Sequence, residues 1–222
     1  MASAFIIEGW GLFIGSSSDR DVLAKLELRK VADADFPSRF GHFRIYGFEG
    51  VRLAGVEEAV VLKLGDVSAK KGAPLVRIHS QCLTGDVFHS LRCDCRAQLE
   101  LALDQIVEEG RGLLIYEHQE GRGIGLLNKL RAYELQDQGL DTVEANVELG
   151  FEPDLRDYAL PAAILKYFNI TEVRLLSNNP DKVAALESAG VRVVERAPII
   201  APPLETTREY IKTKQDKMGH LF

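Results

Sequence analysis

Apolar and polar residues alternate in several short runs between residues 36 and 81, and glycines separate the runs. A period of two is typical of half-buried β-strands, and here it predicts strands at residues 43–48, 59–64 and 75–79. No helix is predicted in this part of the chain. Residues 1–31 show no clear relation to the pattern and are interpreted as an N-terminal extension, which leaves residues 32–222 as one predicted domain.

The hydrophobic period lengthens after residue 95. Apolar residues between Leu99 and Val107 have helical spacing, and Gly110 is suited to end that helix in the left-handed conformation. A strand at residues 112–118 follows. A glycine-rich turn then leads into a helix predicted at about residues 124–138, which Gly139 ends.

Helices and strands alternate in the C-terminal part of the chain. Residues 154–168 are predicted to be helical, although Pro161 should bend or break the helix. The other predicted elements are a strand at 173–176, a helix at 181–189, a strand at 191–195 and a polar, basic helix at 205–220. Mainly antiparallel strands followed by strand-helix units predict an α/β fold of the mixed (α+β) kind around a mixed sheet.

Composition narrows the classes of function. The 222 residues carry a formal net charge of -6, which argues against a nucleic-acid-binding protein but leaves room for a nucleotide on a local basic patch. No apolar run approaches the roughly 20 residues of a membrane span, so no membrane partner is expected. Three cysteines are an odd number poorly suited to disulfides, and a reducing cytoplasm is therefore expected.

The cysteines lie close together in the sequence as Cys82, Cys93 and Cys95, among Arg, Asp and Thr residues. Three thiolates suit one zinc ion and leave its fourth tetrahedral position for water, whose pKa then falls towards about 7. This spacing predicts hydrolytic chemistry. Two alternatives stay open: the cysteines are buried small hydrophobic residues, or His79 or His89 is a fourth ligand and the site is structural.

A second candidate site is the turn at residues 121–125, which places backbone N–H groups near a helix N-terminus, a common setting for an anion. Arg122, Lys129 and Arg131 add positive charge. The turn could equally be a connection without a ligand, since its spacing departs from the dinucleotide fingerprint. Asp154, at the predicted start of a helix, is favoured as a helix cap.

Five motifs in order resemble the GTP cyclohydrolase II family: residues 77–86, 90–95, 119–129, 141–146 and 149–151. The resemblance runs from about Ala32 to the C-terminus and implies a GTP cyclohydrolase II-like catalytic domain. In many bacteria and plants this domain follows a dihydroxybutanone phosphate synthase domain of some two hundred residues. The chain has no room for one, so we expect the single-function form.

The resemblance implies a reaction in which GTP and water yield formate, pyrophosphate and 2,5-diamino-6-(5-phosphoribosylamino)pyrimidin-4-one, the first committed step of riboflavin biosynthesis. It implies one Zn2+ per chain, Mg2+ with the GTP phosphates, and a homodimer. Zinc would be held by Cys82, Cys93 and Cys95. Tyr133 would assist ring opening, Asp154 would accept a proton, and Arg156 would act on the α-phosphate as a nucleophile or by stabilising charge.

The residues that would line the GTP site, carried over from matching motif positions, are Arg77, Ile78, His79, Ser80, Gln81, Gln98, Glu120, Gly121, Arg122, Thr142, Ser177 and Lys182. Three positions depart from the commonest pattern of the family: Gln81, Arg96 and Ser177. Gln81 removes a negative charge beside the predicted metal, which puts the rate of hydrolysis in question.

Two other functions compete with this hypothesis. A relative that opens the ring but keeps the formyl group would give a formamidopyrimidine nucleotide; Tyr133 argues against it, because those variants replace this tyrosine. A catalytically silent GTP-binding protein with structural zinc is the other, although every expected catalytic position is filled.

Overall fold

A computed structural model describes residues 26–202 and 205–221. The described residues form seven strands: β1 Glu27–Pro37, β2 His42–Arg52, β3 Gly55–Leu64, β4 Leu75–Ser80, β5 Gly112–Glu117, β6 Glu172–Leu176 and β7 Arg192–Ala197. They also form seven α-helices: α1 Leu83–Asp86, α2 Cys95–Glu109, α3 Leu126–Asp137, α4 Thr142–Glu148, α5 Ala159–Tyr167, α6 Pro180–Ser188 and α7 Arg208–Met218. Short 3-10 turns occur at Ala69–Lys71, Glu120–Gly123 and Glu205–Thr207.

All seven strands belong to one mixed sheet, in the order β1-β2-β3-β5-β4-β6-β7. Strands β1, β2, β3 and β5 pair antiparallel, whereas β5, β4, β6 and β7 pair parallel. The predicted fold class is thereby confirmed. Because β5, β4 and β6 run in the same direction, their carboxyl ends meet at one edge of the sheet, which is where open α/β sheets usually bind ligands.

Two apolar cores cover the two faces of the sheet. Strand β4 contributes to both, because its side chains alternate: Val76 and Ile78 pack into the larger core with α5 and α6, whereas Leu75 packs on the other face against α2. Burial on both faces is typical of a parallel strand flanked by helices. The alternation also decides which β4 residues can reach the functional site.

Most predicted elements are confirmed with small shifts of their ends. The helix predicted around Leu99–Val107 is α2, and Gly110 ends it with a left-handed φ of 73°. The helix predicted at residues 124–138 is α3. The unit β6-α6-β7 is the predicted second strand-helix-strand unit, and its two strands are parallel. The C-terminal tail contains the predicted helix, α7.

The helix predicted at residues 154–168 begins only at Ala159, so its predicted first turn is wrong. The backbone N–H of Leu155 donates instead to the Arg122 carbonyl, 3.0 Å away. Pro161 is the third residue of the observed helix, where its missing N–H costs no helical hydrogen bond. A helix that began earlier would lose such a bond.

Several features were not predicted. Helix α1 has four residues and α4 has seven, too few to show a periodic pattern, although α4 carries a capping box between Asp141 and Glu144. Strand β1 begins at Glu27 and crosses the predicted boundary at residue 32. Residues 1–25 of the predicted extension lie outside the described residues. Within the described ranges, the structure has no helix of the length and apolarity needed to cross a membrane.

Candidate active site

Loops that follow three neighbouring strands line one cleft at the carboxyl edge of the sheet. Strand β4 leads into Gln81 and Cys82, β5 into the loop that carries Arg122, and β6 into Ser177 and Asn178. Helices α2, α3, α4 and α7 supply further lining residues. The cleft encloses about 1060 Å³, including its open mouth.

The three cysteines meet at one end of this cleft. Cys82 follows β4 and Cys95 begins α2, and the three sulfur atoms lie within 4.8 Å of one another. A Cβ atom added at Gly85 would lie 2.9 Å from Sγ of Cys93 and 3.1 Å from Sγ of Cys82. Only glycine therefore leaves room for the sulfur atoms to converge, which supports a built metal site and argues against scattered buried thiols.

Neither candidate histidine joins this group in the part of the chain that the structure describes. His79 Nε2 lies 3.1 Å from Oδ2 of Asp86, and the Tyr116 hydroxyl donates to the same carboxylate oxygen at 2.8 Å. His79 is thus oriented by a buried carboxylate. The geometry favours three protein ligands over four, which is the arrangement of a catalytic zinc site.

The charges around the sulfur atoms favour a bound cation. Hydrogen bonds from Cys93 and Cys95 lower the pKa of the Cys82 thiol, and the Lys129 ammonium, 3.1 Å from this sulfur, lowers it further. By contrast, the neighbouring Cys82 and Cys93 raise the pKa of Cys95 well above its ordinary value. Three thiolates this close repel one another, so a divalent cation is needed for all three to be deprotonated together.

Tyr133, on α3, stands beside the cysteine cluster. Its hydroxyl lies 3.1 Å from Oγ1 of Thr84, which in turn lies 3.7 Å from Sγ of Cys82. The guanidinium of Arg92 covers the ring at 4.9 Å from its centroid. Burial raises the pKa of Tyr133, so its phenol keeps its proton near neutral pH. A protonated phenol thus lies beside the cysteine cluster.

Buried cationic side chains also line the cleft. The Arg77 guanidinium donates to the Leu176 carbonyl at 2.9 Å and to Oε1 of Gln98 at 2.8 Å. The Lys182 ammonium donates to the Ile78 carbonyl at 2.8 Å, and its burial lowers the pKa of the amine. Buried cations that neighbour one another are unfavourable unless an anion joins them. A polyanion such as a triphosphate fits this wall of the cleft.

The glycine-rich loop at residues 121–125 was predicted to bind an anion through its backbone N–H groups. In the structure, the group it offers to an anion is the side chain of Arg122. Three of its N–H groups are used inside the loop: Gly121 donates to Oε1 of Glu120, Ile124 to the Gly121 carbonyl and Gly125 to the Glu120 carbonyl. Arg122 has a left-handed φ of 61°. Its two terminal guanidinium nitrogens are buried, with no hydrogen-bond partner among the described residues. An anion in the cleft would supply that partner.

Asp154 and Arg156 form a forked ion pair behind this loop. Arg156 Nε donates to Oδ1 of Asp154 at 2.8 Å, and Nη2 donates to Oδ2. Burial raises the pKa of Asp154, but the bonds from Arg156 outweigh it and the net shift is downward. Asp154 precedes α5 by several residues and caps no helix, so its interpretation as a helix cap is wrong. The pair instead holds Arg156 at the edge of the cleft.

Comparison with known proteins identifies the family. Residues 29–198 match the family model of GTP cyclohydrolase II. The chain is 54% identical over 197 residues to a GTP cyclohydrolase-2 of Proteus mirabilis (strain HI4320), an alignment that covers 89% of this chain and 98% of the relative. It is also 54% identical over 197 residues to that of Escherichia coli O9:H4 (strain HS), covering 89% and 99%. The chain belongs to the GTP cyclohydrolase II family.

A solved structure, a two domain 3,4-dihydroxy-2-butanone 4-phosphate synthase from A. baumannii, matches with a TM-score of 0.36 and 15% identity. The match covers 71% of this chain and 36% of that chain. Likeness at this level supports no conclusion about activity.

The residues predicted from the GTP cyclohydrolase II motifs line the cleft, with two exceptions. Ile78 does not, because strand alternation turns its side chain into the core between Arg77 and His79; only its carbonyl reaches the site, through Lys182. Asp154, the predicted proton acceptor, is not among the lining residues, and it is hydrogen-bonded to Arg156, which lines the cleft. The prediction that the Ile78 side chain lines the cleft is therefore corrected, and the role of Asp154 stays a prediction.

Three residues depart from the commonest GTP cyclohydrolase II pattern, and the structure shows where each of them lies. Gln81 lines the cleft beside Cys82. Ser177 keeps a hydroxyl that accepts a hydrogen bond from the Asn179 N–H at 3.0 Å. Arg96 donates to the Asp86 carbonyl at 2.8 Å, so it supports the loop that carries the cysteines.

Sequence reasoning missed several residues that line the cleft: Arg92, Asn146, Asn178, Tyr210, Lys214 and His220. Arg92 lies inside a family motif and directly precedes Cys93, so the sequence could have indicated that it lines the cleft. The last three come from the C-terminal tail, whose helix was predicted. No sequence pattern indicated which face of that helix turns towards the cysteines.

Proposed function

We propose that this chain hydrolyses GTP as a GTP cyclohydrolase II: it opens the imidazole ring of guanine, releases formate and pyrophosphate, and forms 2,5-diamino-6-(5-phosphoribosylamino)pyrimidin-4-one for riboflavin biosynthesis. The observation that carries the proposal is one cleft that is lined both by three convergent thiols and by buried cationic side chains. Such a cleft can hold a nucleotide with its base near the thiols and its phosphates near the cations.

Zinc fits the donor set, and Cys82, Cys93 and Cys95 would hold one ion. When bound by three thiolates, zinc leaves one position for water and lowers the pKa of that water towards about 7. Lys129 donates to Cys82 at 3.1 Å and to Oε1 of Glu120 at 2.7 Å, and so links the thiol to the glycine-rich loop. Mg2+ would accompany the phosphates.

Tyr133 is proposed to hold a proton at its Oη for the ring-opening reaction. Its raised pKa keeps the phenol protonated, and the Thr84 hydroxyl orients it towards Cys82. Near the phosphates, Arg77, Arg122 and Lys182 would bind oxygen atoms by charge-assisted hydrogen bonds. Gln98, Thr142 and Ser177 add neutral donors and acceptors to the same walls.

Arg156 is proposed to stabilise charge at the α-phosphate. The Asp154 carboxylate raises the pKa of its guanidinium further above an already high value, despite burial that lowers it. A guanidinium that stays protonated cannot supply a lone pair, whereas its N–H groups can bind a phosphoryl transition state. Asp154 would orient Arg156 and receive a proton only if that ion pair opened. Mass spectrometry of enzyme quenched during turnover tests this, because a covalent nucleotidyl adduct on Arg156 would contradict it.

The function is tested by incubating purified protein with GTP, Mg2+ and Zn2+ and identifying the products by mass. We expect one formate and one pyrophosphate per GTP consumed. A product that retains the formyl group would favour the formamidopyrimidine alternative. Bound GTP with an unchanged ultraviolet spectrum would favour the catalytically silent alternative. Cys93→Ser is the matched control, since it removes one thiol and keeps the size of the side chain.

The homodimer, the cytoplasmic location and the absence of a nucleic-acid or membrane partner stay predictions. So does the division into an extension at residues 1–31 and a catalytic domain at 32–222. Gel filtration with light scattering would test the dimer directly.

A further inference from the structure

The C-terminal helix α7 lies beyond residues 29–198, which match the family model, and yet it forms one wall of the cleft. Tyr210, Lys214 and Met218 on this helix line the cleft, as does His220 after it. These residues have no part in the proposed function so far. Lys214 forms an ion pair with Asp94, whose carboxylate lies 2.7 Å from its ammonium.

Lys214 begins a chain of buried hydrogen bonds that crosses the site. Its ammonium donates to Oδ1 of Asp94 at 2.7 Å, and Gln98 donates to the other oxygen of the same carboxylate. Gln98 Oε1 accepts from Arg77 at 2.8 Å, and Arg77 also donates to the Leu176 carbonyl at 2.9 Å. The chain therefore runs from α7 through α2 to strand β4.

Each member of this chain is buried, with residue exposures of 8% for Lys214, 6% for Asp94, 8% for Gln98 and 6% for Arg77. Buried charges are stable only when they are paired and hydrogen-bonded. Without Lys214, the Asp94 carboxylate between two cysteines would lose its ion-pair partner. Gln98 would then lose its anchor, and the Arg77 guanidinium would lose the group that sets its orientation.

Two further contacts hold α7 against the cleft. Lys217, one turn after Lys214, forms ion pairs with Asp141 and Glu144 at the start of α4. After the helix, the N–H of Leu221 donates to the Asn178 carbonyl at 2.8 Å, in the loop that follows β6. Helix α7 and the residues after it thus contact the start of α4 and the loop that follows β6, and both of these line the cleft.

We propose that Lys214 is a positioning residue: through Asp94 and Gln98 it orients the Arg77 guanidinium for GTP and seats α7 as a wall of the nucleotide cleft. The inference rests on the proposed function for the identity of the ligand. In this proposal Lys214 acts on GTP through Asp94 and Gln98, so its loss should weaken the binding of GTP more than it slows the reaction of the bound complex. When a residue contributes equally to binding in the ground state and in the transition state, its loss raises KM and leaves kcat unchanged.

The test compares Lys214→Met with Lys212→Met in the full-length, zinc-loaded protein. Lys212 is an exposed lysine on the same helix, so the control makes the same chemical change away from the cleft. For Lys214→Met we expect KM for GTP to rise at least about 10-fold, with kcat within about threefold of wild type and zinc content unchanged. Lys212→Met should match wild type.

Further variants separate positioning from general support of the fold. Lys214→Arg keeps the charge and should restore most of the affinity, whereas Lys214→Gln keeps the polarity without the charge and should not. Lys214→Met combined with Gln98→Met should raise KM by little more than either change alone, because both break the same chain. If Lys214→Met does not fold, Lys214→Gln takes its place in the comparison with Lys212→Met.

The inference is overturned if KM for GTP stays within about twofold of wild type, or if kcat and zinc content fall together. Equilibrium dialysis of GTP, without turnover, separates it from the proposed function. Wild-type protein that binds GTP but releases no formate would contradict the proposed function alone. The inference would then be decided by the dissociation constant of Lys214→Met relative to Lys212→Met.

Discussion

Among the described residues, both halves of the sheet carry ion pairs at the surface, but only the half that contains the parallel strands also buries charged side chains. In the antiparallel half, β1 and β2 carry ion pairs at the surface, such as Arg44 with Asp33 and Arg29 with Glu49. In the parallel half, Arg77 on β4 and Glu117 on β5 are buried. Exposed pairs contribute about 0–1 kcal/mol each, whereas buried charges are costly unless partners or ligands compensate them.

This difference indicates which half of the sheet carries the candidate active site. Strands β1, β2 and β3 are joined by short hairpins, and the connection between β2 and β3 is only Leu53 and Ala54. The parallel strands need crossovers, and their carboxyl ends open into longer loops that meet at one edge. We therefore expect changes in the parallel half to alter chemistry, and changes in the antiparallel half to alter stability.

The largest effect is expected at the cysteine cluster. Cys93→Ser should lower kcat/KM for GTP by more than about 100-fold, because even residues that only support metal ligands cost about 10–100-fold. Zinc per chain, measured by atomic emission, should fall in parallel. Chelation of the wild-type protein should abolish formate release, and added Zn2+ should restore it. Unchanged turnover of Cys93→Ser after metal removal would contradict the metal mechanism.

Next in size is Arg156→Ala. Loss of one preorganised charge at a transition state costs about 100–1000-fold, and we expect that loss in pyrophosphate release, with a smaller loss in ring opening. Stopped assays for pyrophosphate and formate measure the two steps separately. Arg44→Ala, on the antiparallel half, removes a surface ion pair and should leave both rates unchanged. Equal losses in both steps would argue against a role confined to the phosphates.

A substitution in the core of the antiparallel half should lower the stability of the fold and leave the reaction with GTP unchanged. Phe48 is 2% exposed and contacts the rings of Tyr46 and Phe168. Phe48→Ala should lower the free energy of unfolding, measured by urea denaturation, by about 3–5 kcal/mol. Its KM for GTP should stay near that of wild type at urea concentrations below those that unfold the variant. Phe88→Ala, at a side chain that is 70% exposed, should change the free energy of unfolding by less than about 0.5 kcal/mol.

The smallest effect concerns pH. Burial raises the pKa of Glu117 to about 7. A carboxyl with a raised pKa contributes stability while it is protonated, below its unfolded pKa of about 4.3, and loses that contribution as the pH rises through 7. Glu117→Gln should therefore remove a decline of roughly 1–2 kcal/mol in the free energy of unfolding between pH 5 and 8. Exposed Glu152→Gln should keep the wild-type slope.

The fold class could be predicted because long elements carry a clear period. The alternation in β2 and β3 and the helical spacing in α2 were sufficient, since burial of one face imposes the same period on the sequence. Elements below two turns, such as α1 and α4, lack enough residues for a period. The start of α5 could not be predicted, because it depends on a backbone contact between Leu155 and Arg122 from a distant loop.

By itself, the sequence determined the order of the longer elements, the choice of Cys82, Cys93 and Cys95 as candidate metal ligands, and the family, since those depend on residue types and local spacing. Only the tertiary structure decided that Ile78 turns away from the cleft, that Asp154 holds Arg156 instead of a helix end, and that Lys214 reaches Asp94. The physical reason is the distance along the chain. Lys214 and Asp94 are 120 residues apart, and no local pattern records a contact that exists only after the sheet and its helices have packed.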